Sequence, residues 1–428
     1  MGRRRWGIGT LIGAGVLVNY LDRIGLSVAA PQLSETFHLG PRQLGVLFSA
    51  FFWSYALCQL PAGMVIDRLG TVRVGRWGSC LWGLASLACA AAGGLVTLMA
   101  ARVFLGIAEA PSFAVSSKIT GYWFPRAERA LATALFDSAA KFSNVIGVPF
   151  VALLVVQWGW RWGFTILGLI NLLYFAVFAA VYRDPCGDSK LSAAERALIV
   201  DGGAVPEGQA QVGAVALFGY LARQSKVWGL TLGFAAYGYV FYFFLTWLPG
   251  YFAISMHMSL LDSAGHAAIP WMVATAADLL VGGWLIDRLV ARGHDDSRVR
   301  KTVLICGMTL GLAVIGASQT HDPRVATFWI SVSLGGLASA APVFWSLPSL
   351  LAPKGGGGTL GGMMNFANNL MGAVAPVVTG MVVESTGSFT AAFVAGGAIL
   401  ALGIACVASL VGRVEPIADA APGDLSNP

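Results

Sequence analysis

The sequence predicts an all-α polytopic membrane protein with twelve transmembrane helices in two six-helix bundles. The chain is 57% hydrophobic and 11% charged, with a mean hydropathy of +0.72, whereas a soluble domain typically carries about 25% charged residues. Apolar stretches of about 20 residues, the length that crosses a bilayer, recur along the whole chain. A motif repeated in both halves indicates two related six-helix units.

The predicted helices are separated by short polar turns, with six before a polar linker and six after it. They cover residues 7–30, 44–66, 75–93, 95–117, 131–156, 162–182, 227–253, 264–286, 302–320, 326–350, 358–383 and 388–412. We therefore expect an N-terminal bundle at 1–183, a cytoplasmic linker at 184–226, a C-terminal bundle at 227–413 and a disordered cytoplasmic tail at 414–428. Within the linker, Leu191 and Leu198 predict either a short amphipathic helix on the membrane surface or a solvated tether.

Basic residues set the expected orientation. With the N-terminus in the cytoplasm, 21 of the 27 Lys and Arg residues fall on the cytoplasmic side, as the positive-inside rule requires. A cleavable signal peptide is disfavoured because the first apolar run contains Asp22 and Arg23 and leads into Pro31. We expect a multi-pass protein of the bacterial inner membrane with both termini cytoplasmic. Its net charge of +6 follows from this topology and requires no nucleic-acid partner.

The sequence contains no pattern typical of an enzyme. The six cysteines are scattered without paired spacing, which favours neither a disulfide framework nor a metal site. The glycine run 355–358 lacks the Lys-Ser or Lys-Thr that follows a phosphate-binding loop. We therefore expect no cofactor, no metal and no covalent chemistry.

A short motif follows the second predicted helix and recurs after the eighth. GMVIDRL begins at Gly63 and GWLIDRL at Gly283, and the first copy continues as GTVRVGR. The glycine permits close helix approach, the acid can interact with a helix N-terminus or an arginine, and the basic residues can anchor at anionic headgroups. An ordinary basic turn is the alternative for either copy. We expect a cytoplasmic gating motif formed by Gly63, Asp67, Arg68, Arg73, Asp287 and Arg288.

These features together resemble the major facilitator superfamily. The stretches NYLDR, SAFFWSYALCQLPAG, RVFLGIAEAPSF, WFPRAERALATALFDSA, LSAAERALI, FFLTWLPGY and NFANNLMGAVAP are similar to its anion:cation symporter branch. That branch includes bacterial transporters of sugar acids and other carboxylates. The resemblance implies alternating access of two six-helix halves around a central site, usually with proton-driven uptake.

Ionisable residues inside the predicted helices are the main candidates for function, because isolated charges in a bilayer are costly. They are Asp22, Arg23, Arg102, Glu109, Asp137, Lys141 and Asp278. Arg102 and Glu109 are seven residues apart and share one face of a helix. The carboxylates Asp22 and Glu109 are suited to bind and release protons. The resemblance implies the same roles, with Arg102 coupling the two acids. A structural ion-pair network is the alternative.

Substrate contacts are expected from another group of residues. The guanidinium of Arg23 matches a carboxylate in charge and geometry, although it can instead neutralise Asp22. The resemblance places substrate contacts at Tyr20, Tyr55 and Asn365, which otherwise serve as packing residues or bond to a neighbouring helix. Trp345 can stack on the substrate.

The fifth helix departs from the pattern of sugar-acid transporters. It reads FDSAAKFSN, which gives Asp137 and Lys141 where uncharged polar residues are expected. Lys141 is either a second cationic substrate contact or the i, i+4 partner of Asp137. Asp278 either pairs with Lys141 or faces a polar cavity as a further proton site.

The sequence thus predicts a secondary active transporter, functional as a monomer, that takes up a small organic anion with protons. The anion is a sugar acid or another carboxylate. A drug or metabolite exporter on the same scaffold is the first alternative, and the cationic Arg23 and Lys141 argue against it. A non-transporting membrane sensor is the second.

Overall fold

The computed structural model describes residues 3–204, 214–353 and 356–418, and within these ranges it is helical without strands. The Gly- and Gln-rich part of the linker at 205–213, residues 354–355 of the glycine run and the tail at 419–428 lie outside the described residues. The side chain of Asp67 also lies outside them. The chain is an all-α polytopic membrane protein, as predicted.

The N-terminal half contains five helices that carry the first six predicted spans. They are α1 (Arg4–Phe37), α2 (Pro41–Ala90), α3 (Leu95–Glu109), α4 (Ser112–Trp123) and α5 (Arg126–Val181). The two longest are interrupted by glycines, Gly70 at φ 79° and Gly159 at φ 80°. These left-handed backbone conformations favour glycine, which has no Cβ to clash. Each break falls between two predicted spans, so it reverses the chain without a separate loop.

The described part of the linker forms a turn and a short helix docked on the N-terminal half. A 3₁₀ turn at Pro185–Gly187 precedes α6 (Ala193–Asp201), and the side chain of Ser192 caps α6 by accepting a hydrogen bond from the Glu195 backbone N–H. Glu195 is buried and its Oε1 lies 3.0 Å from Nη1 of Arg5. Leu191 lies in the apolar core of this half. The predicted helix is therefore present, and its inner face contacts protein.

The C-terminal half contains the remaining helices. They are α7 (Ala214–Ala222), α8 (Ser225–Ser255), α9 (Leu260–Ala277), a π-helical segment (Asp278–Leu285), α10 (Ile286–Ala291), α11 (Asp296–Gly311), α12 (Val314–Ala317), α13 (Pro323–Leu351), α14 (Gly357–Thr386) and α15 (Thr390–Leu410). The eighth predicted span runs through α9, the π-helical segment and α10. The ninth runs through α11 and α12, which are separated by a short turn.

Nine stretches of the described chain are long and apolar enough to cross a membrane. One of them, Leu131–Val181, contains the fifth and sixth predicted spans on either side of Gly159. The second and third predicted spans lie in α2, on either side of Gly70. The predicted spans thus all lie in helical segments, and the glycine breaks in α2 and α5 separate the two spans that each of these contains.

The described residues form two compact units, and a short segment of the N-terminal half belongs to the C-terminal unit. Residues 3–38 and 50–204 form the N-terminal unit, whereas residues 39–49 belong with 214–353 and 356–418 in the C-terminal unit. A side chain added at Gly45 would collide with the backbone of Pro376. The ring of Phe48 also lies 5.2 Å from that of Trp247. The first turns of α2 are therefore closely packed in the C-terminal unit.

Candidate functional site

Asp22 is held in the middle of the N-terminal unit by two neutral polar side chains. Ser86 on α2 donates a 2.7 Å hydrogen bond to its Oδ1, and Asn171 on α5 donates a 2.6 Å hydrogen bond to its Oδ2. Asn171 also donates to Ser86 at 3.1 Å. The carboxylate is 1% exposed. Sequence analysis missed Ser86 and Asn171, although a polar residue inside an apolar span was the available signal.

A second buried carboxylate, Glu109 at the end of α3, pairs with Arg23 on α1. Their closest atoms, Nη2 of Arg23 and Oε2 of Glu109, are 3.4 Å apart, and the side chains are 3% and 0% exposed. Within the described ranges, Oε1 of Glu109 has no hydrogen-bond partner. Arg102, also on α3, donates to the backbone oxygen of Asp22 at 3.2 Å. The four predicted charges therefore lie together, with Arg23 rather than Arg102 in contact with Glu109.

Aromatic rings surround the guanidinium of Arg23. Its Cζ lies 4.7 Å from the ring centre of Tyr20 and 4.9 Å from those of Phe51 and Tyr55. Such cation–π contacts contribute about 0.5–2 kcal/mol each, more when the site is dry. The same Phe51 ring lies 5.1 Å from Cζ of Arg102. Tyr20 and Tyr55 were predicted here, whereas Phe51 was not.

Lys141 and Asp137 form the i, i+4 pair that their spacing predicted. Nζ of Lys141 lies 2.9 Å from Oδ2 of Asp137, and the side chains are 6% and 22% exposed. Both charges lie within electrostatic reach of Tyr20. The structure therefore brings Lys141 close to the Arg23 cluster. A direct substrate contact by Lys141 stays a prediction.

In the C-terminal unit, a chain of hydrogen bonds fixes the amide of Asn365. Tyr242 on α8 donates to Oδ1 of Asn369 at 2.9 Å. Nδ2 of Asn369 donates to the side-chain and backbone oxygens of Asn365, both at 2.9 Å. The side-chain oxygen of Asn365 is thus engaged within the protein, so its amino group is the end suited to donate to a bound molecule. Sequence analysis gave Asn369 no role.

Trp345 and Asp278, two other predicted residues of this unit, differ in exposure. Trp345 on α13 is 40% exposed and meets the ring of Phe234 edge to face at 5.3 Å. Asp278 is 5% exposed and begins the π-helical segment, a local geometry that is frequent at functional sites. Both alternatives for Asp278 stay open.

The predicted gating motif lies at exposed helix ends. Arg68, Arg73, Asp287 and Arg288 are exposed, and Cζ of Arg288 lies 5.0 Å from the ring of Trp284. A Cβ added at Gly63 would meet open space among the described residues. The close helix approach expected at Gly63 is therefore not seen.

Long apolar helices around a cluster of buried charges are typical of a secondary transporter. Comparison with known protein families supports this interpretation. Residues 12–376 match the family model described as "Major Facilitator Superfamily". The chain belongs to the major facilitator superfamily and is a transporter rather than an enzyme. The earlier resemblance is thereby confirmed.

Two bacterial transporters are similar to this chain over almost its whole length. The uncharacterized transporter YybO of Bacillus subtilis is 40% identical over 97% of this chain and 96% of its own length. A D-galactonate transporter of Escherichia coli O6:H1 is 32% identical over 97% of both chains. The solved structure of a bacterial homolog of the human lysosomal transporter Spinster shares the fold, with a TM-score of 0.73 at 18% identity over 96% of both chains.

Proposed function

We propose that this protein is a proton-coupled symporter that imports a small organic anion, a sugar acid or related carboxylate, by alternating access. The observation that carries this proposal is the buried pair of Arg23 and Glu109. One guanidinium faces one carboxylate and both side chains are buried, so a second carboxylate from a substrate competes with Glu109 for the same positive charge. With the substrate bound, two carboxylates then share the single positive charge of Arg23.

Proton uptake by Glu109 resolves this competition. A carboxylate without a compensating charge is costly in a membrane interior, so the displaced Glu109 takes a proton when the anion binds Arg23. Release of the anion returns Glu109 to Arg23, and the proton leaves. Binding of the anion and binding of the proton thereby favour each other, which is the thermodynamic requirement of symport.

Asp22 and Arg102 support this exchange in the proposed mechanism. Ser86 and Asn171 each donate a hydrogen bond to the carboxylate of Asp22, and hydrogen bonds to a charged group stabilise it by about 1.5–3 kcal/mol each. Arg102 binds the backbone of the same residue. We assign Asp22, Arg102 and Glu109 to proton coupling.

The substrate class rests on the cationic cluster and on the relatives. Arg23, framed by Tyr20 and Tyr55, offers a planar fork and ring faces to a carboxylate-bearing molecule. The similarity to a D-galactonate transporter supports a hydroxylated carboxylate. Further contacts are assigned to Lys141, Trp345 and Asn365. In this proposal the protein works as a monomer in the bacterial inner membrane, with both termini cytoplasmic.

Uptake into proteoliposomes tests the function, with D-galactonate as the first probe. We expect accumulation driven by an inside-alkaline pH gradient, and its loss in Arg23→Ala. Arg324→Ala removes an exposed arginine at the start of α13 and serves as the matched control. Gradient-driven export of lipophilic cations would instead indicate an exporter, and binding of anions without flux would indicate a sensor. Either result overturns the proposal.

A further inference from the structure

The N-terminal unit contains a partly open cavity that includes none of the substrate contacts assigned above. It offers a volume of about 30 Å³ to the centres of water molecules, which is room for about two waters. Helices α1 to α5 all contribute to its wall. The polar and small residues in that wall are Asn19, Gly78, Trp82, Ser112, Ser116 and Tyr174.

Two polar groups in this wall lack the partners that buried groups normally have. Asn19 is 1% exposed, and although its amide lies beside Glu109, neither atom of the amide forms a hydrogen bond of regular length and angle among the residues that the structure describes. The buried Oγ of Ser112 has no partner in the same part of the chain. Because buried polar groups are almost always satisfied by protein or water, two such groups facing a cavity of this size indicate ordered water.

The cavity adjoins Glu109. Its wall includes Ala108 and Ser112, on either side of Glu109 along the chain. Asn19 lines the cavity, and its side-chain amide lies beside the carboxylate of Glu109. The other charged groups facing Glu109 are Arg23, Asp22 and Arg102.

The opposite end of the cavity points toward the expected cytoplasmic side. Val74, the residue after the exposed Arg73, lies in the wall. Ser116 and Ile119 on α4 flank Lys118, and Ile119 is also in the wall. Basic residues concentrate at cytoplasmic helix ends, so the cavity extends from Glu109 toward that end.

We infer that water in this cavity carries the proton from Glu109 to the cytoplasm, by a route inside the N-terminal unit that the substrate does not use. The inference rests on the proposed function. The carboxyl O–H bond of Glu109 breaks, a water beside Asn19 accepts the proton, and its neighbour near Ser112 passes a proton to bulk water at the cytoplasmic end of the cavity. Glu109 is left as a carboxylate beside Arg23. Asn19 and Ser112 hold the waters and are not themselves protonated.

Two variants alter the cavity in independent ways. Asn19→Leu removes the polar lining at nearly constant volume. Gly78→Ala leaves every polar group in place and adds a methyl group, which would meet Ala108 O at 3.4 Å and Nε1 of Trp82 at 3.8 Å, both ordinary contacts. The added methyl therefore fits and takes space from the water. Asn144→Leu is the matched control, because this buried amide of the same unit donates to its own helix at Ala140 O.

Proteoliposomes with D-galactonate as the probe separate proton release from substrate movement. We expect uptake driven by the pH gradient to fall at least tenfold in Asn19→Leu and at least threefold in Gly78→Ala. Exchange of internal for external D-galactonate, which requires no net proton release, stays within twofold of the wild type. The control keeps both activities.

Wild-type rates of driven uptake in both cavity variants would overturn the inference, and so would an equal loss of exchange. A high-resolution experimental structure tests it without transport, since it must show ordered water bonded to Asn19 and Ser112. Absence of that water also refutes the route. If the wild type shows no uptake driven by the pH gradient, the proposed function itself fails.

Discussion

Replacing Glu109 by glutamine tests the competition for Arg23. Glu109→Gln keeps the shape of the side chain but removes its charge, so an incoming anion no longer has to displace a carboxylate. At 3.4 Å and an effective dielectric constant of about 20, the full Coulomb energy of the pair is about 5 kcal/mol. Desolvation and the neighbouring Asp22 and Arg102 offset much of this energy. We expect at least 1.4 kcal/mol to remain, which corresponds to a tenfold change in affinity.

The affinity for D-galactonate should depend on pH in the wild type but not in Glu109→Gln. In the proposed mechanism, anion binding to the wild type requires a proton on Glu109, so the affinity for D-galactonate should weaken as pH rises, by up to tenfold per unit. In Glu109→Gln the affinity does not change between pH 6 and pH 8. At pH 8 this variant binds at least tenfold more tightly than the wild type.

Calorimetric titration of the purified protein at the two pH values measures both effects. Glu384→Gln removes an exposed carboxylate of α14 and should reproduce the wild-type curve. Weaker binding of Glu109→Gln at both pH values would refute the reasoning, because it would mean that Glu109 contacts the substrate directly or supports the structure.

Three further predictions follow from other parts of the structure. Asn369→Leu removes the hydrogen bond that orients Asn365, worth about 0.5–1.5 kcal/mol, and should raise KM for D-galactonate about two- to tenfold with little change in kcat. Gly159→Ala places a Cβ at φ 80°, which costs about 1–2 kcal/mol, and should lower the midpoint of thermal unfolding. A hydrogen bond from Arg5 lowers the pKa of Glu128, at the start of α5, below its usual 4.5, so this bond stabilises the fold above pH 4.5 and is lost as pH falls through the lowered value. The protection of α6 amides in hydrogen exchange should then decrease, provided that Glu128 helps to hold Arg5 against α6.

Each of these predictions has a control. Asn144→Leu should leave KM unchanged, whereas an equal rise would mean that any lost amide disturbs the protein. Gly187→Ala lies in open space without a positive φ and should not shift unfolding. Glu128→Gln should give low protection of α6 at every pH, and unchanged protection would contradict the proposed link to Arg5.

Local patterns predicted much of this molecule. Hydropathy over about 20 residues located the spans because burial in lipid depends on each segment alone. The pair of Asp137 and Lys141 followed from the four-residue spacing of a helix. The fold class and the family resemblance are confirmed, while the functional roles of the site residues stay predictions.

Long-range contacts account for what sequence analysis missed. Ser86 and Asn171 lie 64 and 149 residues from Asp22 along the chain, so no local periodicity connects them. The pairing of Arg23 with Glu109 spans 86 residues, so the helical spacing that placed Arg102 and Glu109 on one face could not reveal it. The tight breaks at Gly70 and Gly159, where one span passes directly into the next, depend on a backbone conformation that hydropathy does not encode.

The charges clustered in the middle of the N-terminal unit have an electrical consequence. When all are ionised, three positive and three negative side chains sum to zero; they are Arg23, Arg102, Lys141, Asp22, Glu109 and Asp137. Moving one uncompensated charge through a membrane potential of 100 mV requires about 2.3 kcal/mol. The reorientation of this unit without cargo therefore carries no net charge from these groups. In the proposed mechanism, its return step is therefore insensitive to voltage with respect to these groups, and a cycle with one proton for each monovalent anion is driven by the pH gradient rather than by the membrane potential.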